Sequence, residues 1–114
     1  MSEKTNARDN ALAALSAQKA QIEDNLMALK KACTTDAERA TLTLAYTSAV
    51  NQYETALTKA FLVNDAGILQ SIEEMKTVQS DIQDAIDNAA SIGLILNHIA
   101  DGVRVGSRII TLMG

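Results

Sequence analysis

Lys30-Lys31-Ala32-Cys33-Thr34-Thr35-Asp36-Ala37-Glu38 is the stretch that decides the fold. It holds the one clear break in the first 66 residues, which contain no glycine, and proline is absent throughout. Thr35 followed at the third position by Glu38 is a capping-box pattern. The hydroxyl can accept from the N3 amide while the carboxylate reaches back to the cap. Lys30 and Lys31 suit the negative end of a helix that finishes just before. One helix therefore ends near Cys33 and a second begins near Asp36, which makes a helical hairpin.

Working outward, Leu12, Leu15, Lys19, Ile22, Leu26, Leu29 and Cys33 step by three and four. That spacing puts them on one face of a helix. The first helix is expected over 6–33, with Thr5 as its N-cap. The second is expected over 36–63 through Leu42, Tyr46, Ala49, Tyr53, Ala56, Ala60 and Val63, with Val50, Leu57 and Phe61 widening the face. Asn64 and Asp65 offer a C-cap and the next N-cap. The third seam runs through Ile68, Ile72, Met75, Gln79, Ile82, Ile86 and Ala89. It slips by three residues and resumes at Ile92, Leu96, Ile99, Val103, Gly106, Ile110 and Met113. Such a slip reads as a stammer within a continuous helix.

The expected fold is therefore all-α over a single domain, 1–114. An antiparallel hairpin packs with a longer third helix, 66–113, as a three-helix, coiled-coil-like bundle. The short helices would be ~42 Å long and the third ~70 Å at 1.5 Å per residue. Either the third helix projects, or it breaks near 97–102, where Asp101-Gly102 is the better site for a bend.

Composition excludes whole classes of function. Of 114 residues, 47% are apolar, 3% aromatic and 21% charged, and nineteen are alanine. The apolar content argues against a disordered chain, and the rest against collagen-like and disulfide-scaffold proteins. Net charge is −4, and the one adjacent basic pair is Lys30-Lys31. Nucleic acid is not an expected partner, because phosphate neutralisation needs a basic patch. Cys33 is the sole cysteine, so it forms no intrachain disulfide. Met1 to Asn10 is polar and charged, and no h-region of a secretory signal follows it. The expected location is the cytoplasm, or export without a cleavable signal peptide.

Catalytic chemistry finds little purchase. His98 is the sole histidine and sits in Ile95-Leu96-Asn97-His98-Ile99. A metal site needs several ligands, and the Glu-x-x-His pairs of di-iron bundles are absent. His98 reads as a partly buried or interface residue. Asp81, Asp84 and Asp87 step by three, downstream of Glu73 and Glu74. On a straight helix they read as a solvated face, with a stripe for a basic partner as the functional option. Lys19 and Gln79 interrupt their seams, and polar seam residues either fix register or reach water at an edge. No catalytic residue, cofactor, metal or small-molecule substrate is expected.

The C-terminal quarter is the most unusual part. Residues 88–100 carry no formal charge with His98 neutral. Ala85, Ala89 and Gly93 step by four, as do Gly102 and Gly106. Small residues at that spacing let helices approach closely. The expected function is a non-enzymatic interaction or assembly subunit, binding itself or another helical protein. Its interface would be Ile92, Gly93, Leu96, Ile99, Gly102, Val103, Gly106 and Ile110. The alternative is a membrane-active or membrane-docking protein that inserts this segment, with Arg104 and Arg108 toward headgroups.

Overall fold

The computed structural model describes residues 3–59 and 65–113. Every regular element among them is a helix, but there are four helices rather than three: α1 (Glu3–Ala32), α2 (Asp36–Thr58), α3 (Asp65–Asp87) and α4 (Ile92–Leu112). The molecule measures 46 × 24 × 18 Å. α1 packs against α2 and α3, and α4 packs against the same two. α1 and α4 meet more sparsely across one diagonal, and α2 and α3 occupy the other.

The α1–α2 turn forms as the residues dictate. Thr35 is the N-cap, its hydroxyl accepting from the Glu38 amide at 3.1 Å. Glu38 Oε1 accepts in return from the Thr35 and Thr34 amides, at 3.2 and 2.8 Å. At the front, α1 already runs from Glu3, so Thr5 lies inside the helix instead of capping it. α2 ends at Thr58, earlier than the periodicity predicts, with Lys59 as its C-cap. Ala60, Phe61, Val63 and Asn64 lie outside the described residues. Asp65 is the first residue of α3.

The long third helix does not exist as such. It breaks at 88–91, and the expected bend at Asp101-Gly102 lies in the interior of α4. Ala89 takes a left-handed conformation, φ 52°. The Ala90 amide donates to Ala85 O at 2.9 Å and the Ala89 amide to Ile86 O at 3.1 Å. This pair of bonds is a Schellman C-cap. Ser91 then caps α4. The three-residue slip in the seam is thus a turn, not a stammer. Folding back also removes the length mismatch, because α3 and α4 have 23 and 21 residues.

Two apolar clusters fill the bundle. One joins Leu15, Ala56, Ile68, Met75, Val105 and Ile109 near one end. The other joins Ile22, Leu29, Leu42, Ile82, Leu96 and Ile99 near the end that holds the α1–α2 and α3–α4 turns. The memberships show α1 and α3 running parallel, and α2 and α4 parallel in the opposite sense. Cys33 is a small buried member of the second cluster.

Candidate functional site

The apolar face of α4 is where the sequence places an interface, and most of that face is inside the molecule. Leu96, Ile99, Gly102 and Gly106 are buried, and Ile92, Val103 and Ile110 are half-buried. Ile92 packs on the second cluster and Ile110 on the first. Gly93 alone of the eight is exposed. The expected interface went with a third helix of ~70 Å beside shorter partners. Once α4 folds back, α2 and α3 cover it.

The small residues of α4 have partners within the chain. Gln18 of α1 and Gln52 of α2 are buried between the two apolar clusters. Gln18 Nε2 donates to Gln52 Oε1 at 2.8 Å, and Gln52 Nε2 donates to Val103 O at 2.8 Å and Ser107 Oγ at 3.1 Å. This layer needs space on α4. A Cβ at Gly106 would overlap the Gln52 carboxamide, and one at Gly102 would lie 3.1 Å from Gln18 Oε1. The glycines therefore admit side chains from α1 and α2, a polar version of the close approach the sequence implies. Gln18 Oε1 itself is buried without a hydrogen-bond partner.

The polar seam residues tie helices together. Gln79 Nε2 donates to Ala14 O at 3.2 Å, and Gln21 Nε2 donates to Gln79 O at 2.8 Å. These bonds fix the register of α3 against α1. Lys19 stands over the Tyr53 ring, 5.8 Å from its centroid, a cation–π contact between α1 and α2. Tyr46 donates to Glu23 Oε2 at 3.0 Å, and this bond raises the phenol pKa.

One open surface of the bundle lies along the pair α1 and α3. Ala13, Ala17 and Ala20 step by four and three along α1, and all three are exposed. They line two shallow depressions of about 340 and 530 Å³ that share Ala17 and Gln79. Leu69 of α3 borders the first and is 47% exposed. Asp24 and Gln83 border the second. The result is an alanine-floored groove between parallel helices. Sequence reasoning passed over this stripe because it followed the buried seam. The signal was present as alanines at helical spacing one step off that seam.

Compared with protein-family models, curated proteins and solved structures, the chain finds no match in any of the three.

The acidic run of α3 is partly neutralised by its own neighbours. Arg108 Nη1 lies 2.6 Å from Glu74 Oε2, and Lys76 Nζ lies 3.4 Å from Glu73 Oε1. Asp87 accepts from Gln83 Nε2 at 2.9 Å. Asp81 and Asp84 border a shallow depression with Leu94 and the half-buried His98. Among the described residues, no three acidic, histidine or cysteine side chains are grouped as a metal site. Among those residues, too, no helix is long and apolar enough to cross a membrane.

Proposed function

We propose that this chain is a non-enzymatic interaction subunit that receives a helix of a partner protein in the groove between α1 and α3. The supporting observation is the groove itself. Its floor of Ala13, Ala17 and Ala20 is exposed, and Leu69 stands half-exposed at its edge. Interaxial distance between packed helices depends on the side chains at the contact. Alanine brings the backbone of an added helix close, where its side chains can reach Leu69 and the aliphatic stem of Lys76. Docking of an amphipathic helix into a groove is a recurrent recognition mode, read as anchors at helical spacing. The apolar face of α4, which the sequence offers for this role, is already committed to the core.

Site-specific photo-crosslinking tests the reading. A photoreactive side chain replaces Ala17 in one version of the full chain and Glu54, exposed on α2, in another. Expression in the source cells should give a discrete adduct at Ala17 and none at Glu54. Ala13→Arg should abolish the adduct while leaving the helical content intact. Equal labelling at both positions, or none at Ala17, sinks the groove as a binding surface.

A further inference from the structure

The turn between α3 and α4 is built without the residue such turns favour. Ala89 sits at φ 52°, where a Cβ is crowded against the following carbonyl and glycine is the usual occupant. Neither glycine nor proline occurs between residues 68 and 92. Ala89-Ala90 is a pair of the strongest helix formers. The two bonds that close the turn, from the Ala89 and Ala90 amides, would be replaced by ordinary helical bonds if the segment straightened. The cap that opens α4 is long, with the Leu94 amide 3.4 Å from Ser91 Oγ. The seam also continues in helical steps on both sides of the turn. A straight α3–α4 helix is therefore a second conformation open to this segment.

In one copy, straightening would strip the cover from Ile95, Leu96, Ile99, Val105 and Ile109, all buried in the bundle. A second copy restores it. Two straightened helices laid antiparallel place α4 of each chain against α3 of the other, in the sense that the hairpin already has. We infer that two copies of this chain exchange α4 by straightening residues 88–91, forming a two-fold dimer. The occupant of each vacated cradle is a second α4 because the cradle is cut for it. Gln52 fits only where Gly106 leaves room, and Glu74 awaits Arg108. Every one of these contacts re-forms between chains, and only the crowded turn changes. Short strained hinges invite such exchange, and closed two-fold symmetry limits it to a dimer. The inference goes beyond the proposed function and is independent of it, since the α1–α3 groove stays open in either form.

The test uses the full chain with Cys33→Ala, Glu74→Cys and Arg108→Cys, so that a short bismaleimide can join α3 to α4. Samples are warmed to the foot of the melting transition at high concentration, cooled and cross-linked. Denaturing gels and sedimentation velocity follow. Exchange predicts a dimer whose chains are covalently joined, because α3 and α4 then come from different copies. Ala89→Gly relaxes the turn and should weaken the dimer about tenfold for each of its two hinges. Ser91→Ala removes the cap and should strengthen it. A dimer in which the reagent joins α3 to α4 only within one chain overturns the inference, since that dimer is a surface contact. So does a chain that stays monomeric both as wild type and as Ser91→Ala, with helical content confirmed by circular dichroism.

Discussion

Gln18 Nε2 donates to Gln52 Oε1 at 2.8 Å, joining α1 to α2 between two apolar clusters. Both side chains are at least nine-tenths buried, so neither end has water as an alternative partner. Removing one amide strands the other, which costs about 1–3 kcal/mol. Replacing both by apolar groups of similar size removes the demand as well as the supply. Gln18→Leu and Gln52→Leu should each lower stability in denaturant melts by about that amount. The double variant should lose clearly less than the two losses added. Additive losses would show that the two amides do not act as a pair.

The glycines of α4 separate what helix propensity wants from what packing allows. Alanine is favoured over glycine by about 1 kcal/mol in a helix interior. At Gly93 an added Cβ meets nothing within 4 Å, so Gly93→Ala should raise stability by about that amount. At Gly102 it meets Gln18 Oε1 at 3.1 Å and Val78 Cγ1 at 3.4 Å, and the gain should vanish. At Gly106 it overlaps the Gln52 amide, so Gly106→Ala should destabilise. Adding Gln52→Ser should recover part of that loss. Thermal melts of the series check the order; a stabilised Gly106→Ala would disprove the glutamine layer as placed.

These positions also show where a sequence is legible and where it is not. The seam of α1 is readable because burial repeats at helical spacing: Leu15, Ile22, Leu29 and Cys33 are all buried. The Thr35–Glu38 turn is readable because its chemistry is local. Gln18 and Gln52 are not readable, since a polar side chain beside a seam looks like surface until its partner on a distant helix is known. The turn at 88–91 is hidden for a different reason. It uses Ala89 where glycine marks most such turns, and its trace is the slip of three residues. The real glycines, 102 and 106, mark space for other side chains, so reading Gly102 as a bend misplaced the break. The alanine groove was written in the sequence, but exposed alanine and buried alanine look alike there.

The left-handed residue gives a prediction on stability as well as on assembly. A non-glycine residue at φ 52° carries a penalty of roughly 1–2 kcal/mol. Glycine recovers it and loses part through the greater freedom of the unfolded chain. Ala89→Gly should therefore stabilise the bundle by about 0.5–1 kcal/mol at dilute, monomeric concentration. Ala90→Gly, one residue on, should bring no gain. Urea melts of the two variants make the comparison, and a larger gain at Ala90 would move the left-handed position.

The capping box carries the clearest dependence on pH. Glu38 accepts from the Thr34 amide, and this bond lowers its pKa from the ordinary 4.5, against an opposing effect of desolvation. A carboxylate whose pKa falls on folding stabilises the native state above its unfolded value. The contribution drains away as pH drops through the folded value. The window therefore lies below about pH 4.5, on the acid side of the ordinary value. Glu38→Gln keeps an acceptor oxygen for the box but loses the charge that favours a helix N-terminus. Wild type should melt above Glu38→Gln at pH 7, and the gap should narrow steadily toward pH 3. Thr35→Ala removes the other half of the box and should cost about 0.5–2 kcal/mol at neutral pH. Thr34→Ala should cost less, because the Thr34 amide that binds Glu38 survives the change. A gap between wild type and Glu38→Gln that stays constant from pH 7 to pH 3 would mean that the charge on Glu38 contributes nothing to the turn.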